Sequence, residues 1–365
     1  MFKIQSGVLQ GVVSQLAKGA RKAKLGELLI FIRTQGEHVS FYFNGEDVSV
    51  EKRVAVDIQG SLEVATSVRE LSIKVSALPS DEEIICQLEG NLLKLCWGRN
   101  SEISVELVPE TSPLIELPSI VEEVKWGAGT LHGISRLMPP FTANGNSQQA
   151  KSIPCVTGPN FSKDPDTGEV FVRATDAFKA VTVRAAKIDW FSEPFSIESG
   201  TLGAIADVLP EDAEITVGLN EVRTMVVFKS GTTTAVARTL IGNFPNIDRN
   251  YLTDAKSKWR FDRLDLIDLC RRVRILSPTR PVIEFRLMKG KVHAMIPKAL
   301  NQQVGVCIEG DPIEFSVNAT YLEMAAQLFR SEEIILYVNA HDKPISILQE
   351  GSMDIRSLVL PTRLV

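Results

Sequence analysis

Leu78-Pro-Ser-Asp-Glu-Glu-Ile84 runs into Ile85-Cys-Gln-Leu88, Leu209-Pro-Glu-Asp-Ala-Glu-Ile215 into Thr216-Val-Gly-Leu219, and Leu328-Phe-Arg-Ser-Glu-Glu-Ile334 into Ile335-Leu-Tyr-Val338. Each stretch has the same plan. A leucine closes an amphipathic helix, a polar acidic corner follows, and an isoleucine six positions on opens a strand. Ile84, Ile215 and Ile334 lie 131 and 119 residues apart. Solenoid repeats recur every ~20–50 residues, so a period this long marks a repeated domain. A third of the chain is roughly 120 residues, an ordinary size for a small domain. The sequence therefore predicts three tandem copies of one α+β fold over residues 1–118, 119–252 and 253–365. Pro109–Pro118 and Pro245–Lys256 are the expected linkers.

Working outward from these corners, each third reads as two helices and several strands. Val8, Leu9, Val12, Val13 and Leu16 have helical spacing, with Gly19 read as the stop. Leu28–Ile32 and Val39–Phe43 read as strands joined at Gln35-Gly36, and Val68, Leu71 and Val75 mark the second helix. In the middle third Leu131, Ile134 and Leu137 mark a helix that Pro139-Pro140 ends, and polar Thr142–Lys151 reads as a loop. Val170–Val172 and Val181–Val183 read as strands, and Leu202, Ile205 and Leu209 as a helix. The last third has Leu266, Cys270 and Val273, then Tyr321, Met324 and Leu328. Units of this kind are α+β domains with helices on one face of a sheet. In tandem, their strands can pair edge to edge, which removes exposed sheet edges.

Composition bounds the class. Hydrophobic residues make up 44% and charged residues 23%, values ordinary for a globular protein. No apolar run approaches the ~18 residues a bilayer requires, so no membrane partner is expected. The N-terminal MFKIQSGVLQ lacks the pattern of a secretory leader. The five cysteines (Cys86, Cys96, Cys155, Cys270, Cys307) form no CxxC pair and have no metal spacing. They read as reduced, mostly buried thiols in a cytoplasmic protein.

Enzyme chemistry finds little support. There are four histidines, and no HExxH, GxSxG, phosphate-loop or GxGxxG pattern occurs. Asp81, Glu82 and Glu83 could be imagined as a metal cluster, but an acidic corner recurs in all three copies and reads as a solvated turn. No catalytic residue, cofactor or metal is expected.

The basic residues are better placed. Lys18, Arg21, Lys22 and Lys24 crowd the end of the first helix, and Arg271, Arg272 and Arg274 occupy the matching helix of the third repeat. Arg136 and Lys125 flank that helix in the second, while Arg69 and Lys74 lie on the second helix of the first. Taken singly, each is a solvated charge. Recurring on equivalent helices, they predict a face that follows a duplex backbone without reading bases. The formal net charge of −5 does not exclude this, because phosphate contact needs a local basic surface.

The chain resembles the bacterial DNA sliding clamps, the beta subunits of the replicative polymerase, along essentially its whole length. Ala174-Thr-Asp-Ala-Phe-Lys-Ala-Val181 is similar to the family's ATDGHRLAV turn. Gly242-Asn-Phe-Pro-Asn-Ile-Asp-Arg249 is similar to its G-x-FP-x-Y-x-R segment. Phe315-Ser-Val-Asn-Ala-Thr-Tyr-Leu322 resembles F-N-x-x-YL, Leu358-Val-Leu-Pro-Thr-Arg-Leu364 resembles VMPMRL, and Leu78–Leu107 resembles the LP…QLEG…GR…L run.

The resemblance implies a head-to-tail homodimer forming a ring of six domains, with helices inside and sheets outside. The ring would encircle duplex DNA without sequence preference and tether the replicative polymerase. A clamp loader would open it, and other proteins with clamp-binding peptides would share it. It also implies one peptide pocket per subunit. By motif, its wall would include Val156, Thr175, Ala177, Phe178, Lys179, Ala180, Pro245, Arg249, Asn318, Tyr321 and Pro344. Leu358, Val359, Leu360, Pro361, Thr362 and Arg363 would close it. The dimer interface would use Ile275 and Leu276 against Ile103 and Val105. Ala180 replaces the family's usual Leu, Ala177-Phe178 replaces Gly-His, Thr362 replaces a Met, and Ser152 or Ile153 stands where Arg is common. The pocket is therefore expected to be reshaped. Two other readings compete. One is a clamp paralogue that binds the same partners without encircling DNA, as a decoy or regulator. The other is a metal-dependent hydrolase or transferase using the acidic corners.

Overall fold

The computed structural model describes residues 1–22, 28–164, 166–191, 193–252 and 254–363. Lys24 lies outside the described residues. The architecture is α+β, with several antiparallel sheets and seven α-helices among the described residues. The helices are α1 (Ser6–Lys22), α2 (Val68–Ser76), α3 (Thr130–Leu137), α4 (Gln148–Ser152), α5 (Ser199–Val208), α6 (Arg263–Leu276) and α7 (Ala319–Ala326). No helix is long and apolar enough to cross a membrane. The chain divides into two compact units, residues 1–136 with 187–240, and residues 137–186 with 241 onward.

The first unit contains an eight-stranded sheet in the order Ile120–Trp126, Ile215–Asn220, Met225–Ser230, Thr233–Arg238, Val48–Ala55, His38–Asn44, Leu29–Gln35, Glu63–Ser67. Its seam is the antiparallel pairing of Val48–Ala55 with Thr233–Arg238, segments from the first and second sequence repeats. The expected edge-to-edge pairing is thus present here. A second sheet of five strands ends in the edge strand Ser101–Glu106.

Helix α1 buries Leu9, Val12, Val13, Leu16, Ala17 and Ala20, the stripe its spacing predicts. Gly19 does not stop it, and the helix continues to Lys22. A Cβ at Gly19 would meet Val208 Cγ1 at 2.7 Å and the Ala204 carbonyl at 3.1 Å. Gly19 is therefore where α1 and α5 cross at close range.

The second unit carries strands in the order Asn160–Lys163, Val170–Thr175, Lys179–Arg184, Ser352–Val359, Ile345–Gln349, Glu333–Val338, Ser257–Asp262, Val306–Gly310. Lys179–Arg184 pairs with Ser352–Val359, so residues 172 to 180 positions apart in sequence face each other in one sheet. A four-stranded sheet runs Leu300–Gln303, Lys291–Ile296, Val282–Met288, Phe315–Asn318. The core gathers Trp259, Phe261, Phe285 and Phe315, with ring centroids 5.0–6.3 Å apart. Edge and tilted contacts of this kind add to what area burial alone gives.

Thr142–Lys151 is not all loop. Ser147 accepts a hydrogen bond from the Ala150 N–H at 3.1 Å and starts α4. Cys86, Cys155 and Cys270 are buried as expected, Cys96 is half-buried, and Cys307 is exposed.

Candidate functional site

A cleft of about 540 Å³ opens in the second unit. It is built on the turn between strands Val170–Thr175 and Lys179–Arg184. Asp176 Oδ1 accepts from the N–H groups of Phe178 and Lys179, both at 2.9 Å. The Thr175 hydroxyl accepts from the Ala177 N–H at 3.1 Å and donates to the Lys179 carbonyl at 2.9 Å. These bonds hold Ala177 at φ +73°, where an alanine is strained and a glycine is not.

The floor is apolar. Ala180 lies opposite Leu358 in the sheet, and both pack with buried Ile247. Phe244, Tyr251 and Leu360 pack against the same cluster, and Val156 joins Ala143 and Ala150 beside Phe244. The strand period decides which tail residues face the cleft: Leu358 and Leu360 line it, while Val359 is fully buried in the core behind. The polar rim is supplied by Gln148, Gln149 and Ser152 of α4, with Asn250 and Lys179.

The segment 245–251, expected as a linker, is fastened down. Asp248 pairs with Arg173 at 2.7 and 2.6 Å, accepts from the Thr182 hydroxyl at 3.0 Å, and lies 3.6 Å from Arg356. Arg356 covers the rings of Phe171 and Tyr251, each centroid about 5 Å away. The Tyr251 hydroxyl donates to the Arg356 carbonyl at 3.2 Å, and burial pushes its phenol pKa up.

Of the residues expected at this site, Val156, Thr175, Ala177, Lys179, Ala180, Pro245, Pro344, Leu358 and Leu360 line the cleft together. The others do not. Phe178 projects beside it, 46% exposed, its ring stacked on Tyr321 at 6.4 Å. The ammonium of Lys179, paired with Asp176, sits 4.7 Å from the Tyr321 ring centroid. Asn318 caps α7 by accepting from the Thr320 N–H at 2.8 Å. Pro361 bridges Val317, Thr362 bonds Ser316, and Arg249 and Arg363 are exposed. Sequence reasoning missed Gln148, Gln149, Ile247 and Asn250 as lining residues. It passed over Ser152 and Ile153 with a remark on substitution alone. Ser147, three residues ahead of Ala150, was the available signal for α4.

The basic residues are more encumbered than their spacing suggests. Lys22 pairs with Asp207 at 2.9 Å, Lys74 with Glu70 at 3.7 Å, and Lys125 with Glu214 at 2.8 Å. Arg136 grips Glu211 through two bonds of 2.9 and 2.8 Å, which lowers the Glu211 pKa. Arg271 and Arg274 converge on Glu323 at 3.2 and 2.6 Å. Arg272 bonds the Gln302 side chain at 2.5 Å, and Arg21 bonds the Ala17 carbonyl. Lys18 and Arg69 are exposed and have no ion pair among the described residues.

At the end of α6, Ile275 is 80% and Leu276 46% exposed. Opposite expectation, the Val105 side chain is fully buried in the first unit, and Ile103 is half-buried. Their strand, however, is a sheet edge with main-chain groups available. Among the described residues no cluster of three or more His, Cys, Asp or Glu is placed to hold a metal.

Three-sequence repetition, paired helices and sheets continued across repeat boundaries define a DNA-clamp fold. A sliding clamp (DNA polymerase III subunit beta) of Bartonella birtlesii, solved bound to griselimycin, superposes with a TM-score of 0.87 at 16% identity, over 100% of this chain and 99% of that one. The Pseudomonas aeruginosa DNA polymerase III subunit beta gives 0.86 at 20% identity, over 100% of both chains. In sequence, the chain is 22% identical over 304 residues to the beta sliding clamp of Streptococcus pneumoniae, covering 79% of this chain and 77% of that protein. It is 21% identical over 330 residues to that of Synechococcus elongatus, covering 87% and 86%. No protein-family model matches. The chain thus has the fold of the bacterial beta sliding clamps and a distant sequence similarity to them.

Proposed function

We propose that this protein is a DNA polymerase processivity factor. Two copies, each of three clamp domains (1–118, 119–252 and 253–365), close head to tail into a ring around duplex DNA in the cytoplasm. The ring has no catalytic residue and no cofactor. It tethers a replicative polymerase, and its loader, through peptides that enter the cleft walled by Ala180, Leu358 and Leu360.

The observation that carries this reading is the likeness to sliding clamps, in fold over the whole chain and in sequence over 79–87% of it. The cleft supports the partner role. An apolar floor with a few polar groups at the rim suits an extended peptide with aliphatic or aromatic anchors. Two of the sheet edges, Ser101–Glu106 and Leu300–Gln303, offer main-chain groups through which a dimer could close, since unpaired strands seek partners.

Retention on DNA tests the proposal. Loaded onto nicked circular plasmid, the protein should stay bound through gel filtration at moderate salt and be lost once the circle is linearised. Equal loss from circle and line would reject encirclement. The ion pairing of Lys22, Arg136, Arg271 and Arg274 favours one alternative, a paralogue that binds clamp partners but does not encircle DNA. That alternative predicts peptide binding without topological retention.

A further inference from the structure

On α6, five residues from Asp268 to Arg272 and the following turn alternate between burial and charge: Leu269, Cys270 and Val273 are buried, while Arg271, Arg272 and Arg274 are exposed. Glu323 on the packed helix α7 lies beneath them, with its side chain only 6% exposed. It accepts from Arg271 Nε at 3.2 Å, Arg274 Nη1 at 2.6 Å and Gln327 Nε2 at 3.1 Å. Asp268 adds a second acid 3.3 Å from Arg271. Burying a carboxylate is costly, and an apolar residue would join two helices as well. At this depth the acid does something an apolar residue cannot: it removes one of the two positive charges that Arg271 and Arg274 would otherwise present, whereas the Asp268 pair is solvent-exposed on both sides and offsets Arg271 only weakly. Arg272, held among the described residues only by the neutral amide of Gln302, keeps its full charge.

We infer that Glu323 is a charge-setting residue of the nucleic-acid face. It halves the pull of the Arg271–Arg274 pair on phosphate and leaves Arg272 as the main phosphate contact of α6. This rests on the reading that α6 faces duplex DNA. Affinity for a polyanion follows the number of phosphates neutralised. A face with compensated arginines therefore holds DNA weakly, as a ring that must move along it requires.

The test is anisotropy of a fluorescent 40-base-pair linear duplex, titrated with the full-length protein between 50 and 200 mM salt. Glu323→Gln should bind several-fold tighter at the lowest salt and steepen the log–log salt slope by about one, the value for one added phosphate contact. Arg272→Ala should flatten the slope by about one, and the Arg271→Ala/Arg274→Ala pair also by about one rather than two. Unchanged or weaker binding by a natively melting Glu323→Gln overturns the inference. So does a slope change of two in the double variant, which decides the matter even if Glu323→Gln fails to fold. If Arg272→Ala, the arginine pair and Glu323→Gln all bind as wild type does, α6 does not meet DNA, and the proposed function itself is what fails.

Discussion

Asp248 and Arg173 are joined by two contacts of 2.7 and 2.6 Å, and through them a chain segment of little regular structure is fixed to the sheet that floors the cleft. The segment carries Pro245, Ile247 and Asn250 into the lining, so the shape of one wall depends on this pair. Asp248→Asn removes the charge and keeps the size. It should cost about 3 kcal/mol, the lower end of the range for breaking a mostly buried ion pair. Urea unfolding measures this cost. Binding of a polymerase-derived clamp peptide should weaken alongside, and an unchanged peptide affinity would show that the wall does not need the pair.

Leu360 faces the cleft just past the C-terminal strand, and its amide donates to the Phe178 carbonyl at 2.8 Å. Leu360→Asp places an unpaired charge on an apolar wall. A peptide that covers it loses on the order of several kcal/mol. Calorimetry should therefore detect no binding, while the mass in solution stays that of wild type. Equal affinity for both proteins would move the partner site elsewhere.

Ile275 and Leu276 stand largely bare at the end of α6. Covering both should contribute ~3–5 kcal/mol to assembly. Sedimentation of Ile275→Ala/Leu276→Ala is expected to give monomers at micromolar concentration, and a persistent dimer would place the interface elsewhere.

Gly19 invites a substitution whose sign is informative. On an isolated helix, Gly→Ala gains up to ~1 kcal/mol. Here the new methyl meets Val208 and the Ala204 carbonyl at 2.7 and 3.1 Å, inside van der Waals contact, and overpacking typically costs ~1–3 kcal/mol. Gly19→Ala should therefore lower the melting temperature. A rise would mean that α1 and α5 can move apart at no cost.

Lys52 is a buried cation in strand Val48–Ala55, bonded to the Gln15 side chain and, at 3.1 Å, to the Val208 carbonyl, with no carboxylate partner among the described residues. Burial lowers its pKa to about 8 from 10.5. Between these values the unfolded chain holds a proton that the folded chain has released, so this group makes stability rise with pH from about 8 to 10.5. Below pH 8 the charged form is buried at a cost of up to ~3 kcal/mol. Lys52→Met should flatten that rise in denaturation measured at pH 7, 8.5 and 10. A parallel pH profile in the variant would show that Lys52 is not its source.

Much of the fold was legible because local chemistry and tertiary packing agree. The corners before Ile84, Ile215 and Ile334 lie between helix and strand as their pattern requires, and the Thr175–Lys179 turn brackets its own residues. The rest depended on distant neighbours. Gly19 looks like a helix stop unless Val208 is known to lie against it. Helix α4 spans five residues without an apolar period. The acids that occupy Lys22, Arg136 and Arg271 stand 185, 75 and 52 positions away, beyond any local reading of a basic run. Strand alternation could have separated Val359 from Leu358 and Leu360, which the motif grouped together.

The seams at Val48–Ala55 with Thr233–Arg238 and at Lys179–Arg184 with Ser352–Val359 are knitted from peptide N–H and C=O groups. Every residue except proline supplies both. Mutation can therefore exchange the side chains along these strands over long lineages without unpicking the joint, provided the inward-facing positions stay apolar. Four residues in five can differ from a relative such as the Pseudomonas aeruginosa protein while the backbone path is kept, at a TM-score of 0.86. Joints of this kind leave the surface free to acquire new partners at the pace of sequence drift.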